Sequence, residues 1–111
     1  MGFGEAVKLC FRKYAQFEGR AARPEYWWFV LFTIVVGAAT KILGDALYGV
    51  FALATLLPSI AVGVRRLHDT GRSGAWLLLW LIPVVGWFIV LIFEAERGVP
   101  DSNEYGAPPA A

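Results

Sequence analysis

Three long stretches that are almost free of charge set the strongest limit on how this chain folds. They cover residues 26–43, 46–64 and 74–93, and the only charged residue within them is Lys41. A helix needs about 20 apolar residues to cross the hydrocarbon core of a bilayer, with a range of about 17–25. None of the three shows the polar stripe of a helix on the surface of a soluble protein. We therefore predict an all-α, polytopic membrane protein with three transmembrane helices.

The composition agrees with this prediction. Hydrophobic residues make up 58% of the 111 residues and charged residues 17%, whereas soluble domains average about 45–50% and 25%. The length suits one unit, so residues 1–111 are assigned to a single membrane domain. The net charge of +1 gives no reason to expect a nucleic-acid partner.

The segments between these stretches predict how the helices are connected. Gly44 and Asp45 leave room only for a tight antiparallel hairpin. Residues 65–72 carry three arginines, each of which costs about 2.5–3.5 kcal/mol at the bilayer centre, so this segment is expected at a membrane surface. Pro83 and Gly86 allow either a kinked single span or a re-entrant hairpin. We favour the kinked span, because two arms of about ten residues are too short to cross and their bend would need protein cover.

The two ends of the chain differ from the spans. Residues 3–17 predict a short amphipathic helix with Phe3, Cys10 and Phe11 on one face. This helix is expected to lie in the membrane interface, to pack its apolar face on the spans, or to do both. Residues 94–111 are rich in glycine, proline and polar residues and are expected to form turns or to be disordered.

The distribution of positive charge predicts an orientation. Eight of the ten Lys and Arg residues precede the first span or lie in residues 65–72. By the positive-inside rule, the side that carries the N-terminus is then expected to be cytoplasmic. With three spans, the tail is expected on the opposite side.

Two polar segments, residues 19–27 and 65–74, are expected to meet on the cytoplasmic side. Arginine binds phosphate through its planar fork, and basic patches beside spans attract anionic lipid head groups. The alternative is that the arginines pair with the two carboxylates and fix the loop over the helix ends, and both can hold together. The candidate anion- or partner-binding cluster comprises Arg20, Arg23, Glu25, Arg65, Arg66, His68, Asp69 and Arg72.

No catalytic residue is assigned. His68 and Asp69 suggest a general base with an orienting carboxylate, but adjacent residues rarely adopt that geometry and no nucleophile accompanies them. One histidine and one cysteine without ligand spacing predict no metal site, and no cofactor is expected. We therefore expect a non-enzymatic binding or scaffold protein whose partners are the lipid bilayer, anionic head groups or a membrane protein.

The alternative function is a subunit of an oligomeric channel or transporter. Small residues let helices approach closely in a membrane, and the apolar stretches contain several of them. Ionisable side chains, which ion-coupled transport usually needs inside the membrane, are missing from the interior of these stretches. The small residues are Gly37, Ala38, Gly49, Ala52 and Gly63.

The polar motifs resemble the domain-of-unknown-function family 805. The resemblance rests on Phe17-Glu18-Gly19-Arg20, on the string Arg-Arg-Leu-His-Asp-Thr-Gly-Arg-Ser-Gly at residues 65–74, and on Ile82-Pro83, and it extends from about Phe17 through the tail. It implies a small bacterial inner-membrane protein without an established biochemical function. The sequence departs from the family pattern at Ala75 and at Asp101.

Overall fold

The computed structural model describes residues 1–109, in which five helices and no β-strand are formed. The all-α prediction is therefore confirmed for this part of the chain. The helices are α1 (Phe3–Arg12), α2 (Arg23–Leu43), α3 (Asp45–Asp69), the 3₁₀ helix η1 (Gly74–Leu81) and α4 (Val85–Ala95).

Helices α2 and α3 form the predicted antiparallel hairpin, with Gly44 alone between them. They are 21 and 25 residues long, and their mean hydropathies of 1.6 and 2.0 make both long and apolar enough to cross a membrane. Helix α3 continues past residue 64 to Asp69. Arg65 and Arg66 therefore lie in the last turns of this helix, where cations interact favourably with the helix dipole, and Arg72 follows the helix.

The third apolar stretch is not one kinked helix, so that prediction is wrong. Helix η1 ends at Leu81, the chain turns, and α4 starts at Val85 and runs back along η1. The rings of Trp76 and Phe93 lie 5.7 Å apart, and Trp87 Nε1 donates to the carbonyl of Trp80 at 3.0 Å. We call residues 74–95 the apolar hairpin.

The residues of the turn explain the break. Pro83 has no N–H to continue a helix, and Val84 has a φ of 64°. A Cβ on Gly86 would lie 1.8 Å from the carbonyl oxygen of Leu79, so only glycine lets the two arms approach this closely. The helix is therefore interrupted at Pro83 and Val84, and Gly86 allows the second arm to pack closely on the first.

The hairpin returns the tail to the end of α3, which corrects the prediction that the tail lies on the opposite side. The amide of Val99 donates to the carbonyl of Asp69 at 2.8 Å, and Arg20 Nη1 donates to that of Asp101 at 2.8 Å. The tail forms turns, as predicted, with a bridge between Asn103 and Gly106.

Helix α1 ends at Arg12, five residues earlier than predicted, and packs against α2. Ala6 and Cys10 are buried, and the ring of Phe11 meets that of Phe29 edge-on at 5.6 Å. The expectation that the apolar face of this helix packs on the spans is therefore confirmed. Cys10 and Phe29 belong to the hydrophobic core, with Ala21, Tyr26 and Val62.

Candidate functional site

Asp69, the last residue of α3, accepts from two arginines. Its Oδ1 lies 2.8 Å from Arg20 Nε, and its Oδ2 lies 2.5 Å from Arg66 Nη1. Asp69 and Arg20 are each 5% exposed, and Arg66 is fully buried. Such a buried cluster of two arginines and one carboxylate is stable only if the remaining N–H groups of the arginines also find acceptors.

The spare donors of Arg20 bind the backbone of the tail. Nη1 donates to the carbonyls of Asp101 and Gly106, at 2.8 and 3.2 Å, and Nη2 donates to Val99. Arg20 precedes α2, so this one side chain connects the segment before the first span to the end of the chain.

Arg66 binds three backbone carbonyls in the same way. Its Nε donates to the carbonyl of Glu94 at 2.8 Å, and its Nη1 also donates to that of Ala21 at 3.0 Å. Nη2 donates to the carbonyl of Glu96. All three nitrogens of the guanidinium are therefore used within the protein.

A second buried ion pair joins Arg65 to Glu25, the acidic residue in the first turn of α2. Arg65 Nε also donates to the carbonyl of Gln16 at 3.2 Å. Cys10 Sγ lies 3.9 Å from Glu25 Oε2. Burial and the nearby Glu25 carboxylate raise the pKa of the Cys10 thiol to about 12, so this cysteine is protonated and unreactive at neutral pH.

His68 and Asp69 are not arranged as a catalytic pair. The Nδ1 of His68 lies 3.0 Å from the carbonyl of Gly19, and its ring stacks on Tyr105 with 3.9 Å between centroids. The carboxylate of Asp69 is occupied by Arg20 and Arg66. The histidine holds the tail against the segment before α2, and Asp69 does not orient it.

Arg72 also pairs within the protein, but near the surface. Nη1 and Nη2 lie 2.9 and 3.1 Å from the two carboxylate oxygens of Glu96. The guanidinium lies over the ring of Phe93, 3.9 Å from its centroid. Because these side chains are partly exposed, we expect the pair to contribute much less to stability than the buried ones.

Arg23 is the exception in the predicted cluster. It is the first residue of α2, it is exposed, and it forms no ion pair with any residue between 1 and 109. It lines a cleft of about 360 Å³ together with Arg66, Asp69 and Val99, and it lies close enough to Arg66 for the two positive charges to repel. We call this space the Arg23 cleft.

The structure therefore brings the predicted cluster together, but mainly as internal ion pairs. Sequence reasoning missed the contribution of the tail, which supplies the backbone acceptors and Glu96. One available signal was the Pro83–Gly86 turn, since a hairpin there would have returned the tail to this side. Another was Gly98, at which a Cβ would lie 2.0 Å from Asp69 Oδ2.

Comparison with known proteins places the chain among bacterial membrane proteins. Residues 14–107 match the family described as "Protein of unknown function (DUF805)". The inner membrane protein YhaI of Escherichia coli K12 is 46% identical over 105 residues, covering 88% of this chain and 89% of the relative. The inner membrane protein YhaH of the same strain is 42% identical over 109 residues, covering 88% and 90%. No solved structure matches the chain.

Proposed function

Because the chain belongs to the DUF805 family and is similar to inner membrane proteins, we propose that it is a non-catalytic inner-membrane protein that binds anionic lipid head groups in the Arg23 cleft. The observation that carries this proposal is the exposed guanidinium of Arg23, which has no carboxylate partner in residues 1–109 and shares its cleft with Arg66.

The electrostatics of the cleft favour an anion. Arg23 and Arg66 carry like charges that repel each other, and a phosphate beside the exposed Arg23 offsets that repulsion while accepting hydrogen bonds from the Arg23 guanidinium. The N-terminus of α2 also lies here and has no side-chain cap. The positive end of the helix dipole therefore adds to the attraction.

The proposal includes a topology of two spans and one re-entrant hairpin. At rises of about 2.0 and 1.5 Å per residue, the 8 residues of η1 and the 11 of α4 each extend about 16 Å. This is about half of a hydrocarbon core of roughly 30 Å. The tip of the hairpin then lies near the middle of the bilayer, and both ends of the hairpin lie on one side.

The hydrogen bonds of the turn support this placement. Irregular backbone is tolerated at membrane depth only when its polar groups are satisfied or covered. The amides of Ile82, Val85 and Gly86 donate to carbonyls within the turn or in the arm before it, and Pro83 has no N–H. Few backbone donors of the turn therefore need a partner outside the hairpin.

The charges support a cytoplasmic position for both ends of residues 1–109. With the tail returned, Arg97 joins the eight Lys and Arg residues of the polar side, and only Lys41 lies at the other end, where it pairs with Asp45 at 2.7 Å. This asymmetry is stronger than the one expected for three spans, and the positive-inside rule assigns the polar side to the cytoplasm.

Lipid retention tests the proposed binding. The purified full chain and its Arg23→Gln variant are compared by native mass spectrometry after exposure to phosphatidylglycerol or phosphatidylcholine. We expect the variant to lose most of the bound phosphatidylglycerol. Arg97→Gln is the matched control, because Arg97 is exposed but does not line the cleft. Equal retention by all three proteins contradicts the proposal, and displacement by millimolar phosphate alone identifies a soluble phosphate as the ligand.

A groove between α2 and α3 favours a second candidate function, in which the protein is a subunit of an oligomeric channel or transporter. The groove has a volume of about 720 Å³ and is lined by Gly37, Ala38 and Ala52, which leave room for a helix of a second copy. Ala38→Leu is expected to shift an oligomer to monomer in mild detergent. Ala54→Leu, at an exposed position outside the groove, is the control. A monomeric parent protein contradicts this candidate.

A further inference from the structure

Glu94 is buried without a hydrogen bond to its carboxyl group. It lies in the last turn of α4 and is fully inaccessible, and neither Oε atom has a partner within residues 1–109. A Cβ on Gly63 of α3 would lie 3.8 Å from Oε1 and 3.3 Å from Leu77 of η1. The carboxyl group therefore lies where the apolar hairpin meets α3.

Few titratable or charged groups face this carboxyl. Arg66 of α3 is close enough for its positive charge to interact with it, the uncharged Tyr26 of α2 is a titratable neighbour, and η1 carries no titratable residue. Arg66 nevertheless donates to the backbone carbonyl of Glu94, and its other nitrogens bind Ala21, Asp69 and Glu96. It has no free nitrogen for the Glu94 side chain.

Such a site favours the uncharged carboxylic acid. Burial raises the pKa of Glu94 from 4.5 to about 8, although the positive charge of Arg66 opposes this change. A neutral acid packs against Gly63 and Leu77 at moderate cost. A carboxylate in the same place needs a hydrogen-bond donor or a cation, and Arg66 donates to other acceptors instead.

We propose that Glu94 is a proton-binding site that keeps the apolar hairpin docked on α3, and that release of this proton loosens the hairpin. The ionised side chain draws water to the contact between α4 and Gly63, or it draws Arg66 away from the carbonyls of Glu94 and Glu96. Either change weakens the contact between the base of the hairpin and α3. This proposal does not depend on lipid binding in the Arg23 cleft.

The direction of the pH effect follows from the raised pKa. Below pH 4.5 the docked and loosened states both hold the proton, so pH has no effect. Between pH 4.5 and about 8 only the docked state holds it. The equilibrium then shifts towards the loosened state by up to about tenfold per pH unit. Above pH 8 the shift levels off, because both states are ionised.

Two measurements on the full chain in lipid nanodiscs test the proposal. The carbonyl stretch of a protonated carboxylic acid in the infrared spectrum is expected at pH 6.5 and lost by pH 9.5, and Glu94→Gln is expected to lack it throughout. Hydrogen exchange of residues 74–95, corrected for the intrinsic rate, is expected to accelerate from pH 5 to 8 in the parent protein but not in Glu94→Gln.

Two further variants serve as controls for the loss of a different carboxylate and for a change in stability. Glu104→Gln removes an exposed carboxylate of the tail and is expected to retain the full pH response. Glu94→Leu cannot ionise and is expected to lack the response even if its stability differs. The proposal is wrong if Glu94→Gln keeps the infrared band, or if its hairpin accelerates as much as that of the parent protein.

Discussion

Arg20 and Asp69 are separated by 49 positions in the sequence, yet Arg20 Nε lies 2.8 Å from Asp69 Oδ1 and both side chains are almost wholly buried. Around this contact meet the segment before α2, the end of α3 and the backbone of the tail. The ion pair therefore joins regions of the chain that share no secondary structure.

Removing the charge of Asp69 is expected to destabilise the protein strongly. Asp69→Asn leaves Arg20 and Arg66 buried without their carboxylate, and breaking a buried pair costs roughly 3–5 kcal/mol. Asp45→Asn is the matched control, because its pair with Lys41 is exposed and is worth at most about 1 kcal/mol. Denaturant titration in detergent measures the free energy of unfolding of both variants. Equal losses of stability would show that the burial of the Asp69 pair is unimportant.

Gly98→Ala is expected to detach the tail. The new Cβ would lie 2.0 Å from Asp69 Oδ2, so either the carboxylate or the tail must move. Limited trypsin digestion at Arg97 is expected to become several-fold faster. Gly4→Ala adds a methyl group where nothing lies within 4 Å, and it should leave the rate unchanged. A Gly98→Ala protein that resists trypsin as well as the parent does would refute the close packing.

Gly86→Ala is expected to disrupt the apolar hairpin. Its Cβ would lie 1.8 Å from the carbonyl oxygen of Leu79, a contact with backbone that no rotamer relieves. We expect lower thermal stability and changed fluorescence of Trp80 and Trp87, which lie on either side of the turn. Gly49→Ala, in an open part of α3, serves as the comparison and is expected to be neutral or slightly stabilising.

Side-specific labelling is expected to place the tail on the cytoplasmic side. Ser102→Cys, at an exposed position of the tail, should react with a membrane-impermeant maleimide only after the cells are opened. Asp45→Cys, at the opposite end of α2 and α3, should react in intact cells. Reaction of both positions in intact cells would restore the three-span topology and overturn the re-entrant hairpin.

The native cysteine does not interfere with that experiment. Cys10 is fully buried and its pKa is raised to about 12, so we expect less than a few per cent of the parent protein to react with maleimide at pH 7.5. Denaturation in sodium dodecyl sulfate should make the reaction complete. Rapid modification of the folded protein would show that α1 does not remain packed on α2.

The two long helices were predictable because each charged residue in a membrane carries its own cost, so a continuous uncharged stretch can be recognised from its own sequence. Residues 26–43 and 46–64 are long and uncharged enough to identify a membrane helix without knowledge of its neighbours. The break in the third stretch was visible at Pro83 and Gly86, but choosing between a kink and a turn required the contact of Gly86 with Leu79. No pattern in the sequence around Pro83 reveals that contact, which is seen only in the structure.

The choice of a kinked span for the third apolar stretch also made the predicted position of the tail wrong. Counting three spans put Glu96 and Val99 on the far side, so the acceptors for Arg66, Arg72 and Arg20 were not anticipated. Pairing of the arginines with Glu25 and Asp69 was foreseen as an alternative because both carboxylates lie in the same polar segments. Within the predicted cluster, Arg23 is the arginine without an ion pair in residues 1–109, and the sequence could not distinguish it from the other arginines of the cluster.

The short arms of the apolar hairpin have a consequence for the shape of the molecule in a bilayer. In the proposed topology, an insertion of about 16 Å takes up area in one leaflet and none in the other. The protein is then a wedge, broad at its arginine-rich end and narrow at the turn between α2 and α3. Many copies gathered in one patch would expand that leaflet relative to the other. The membrane would then become convex on the side that carries the tail.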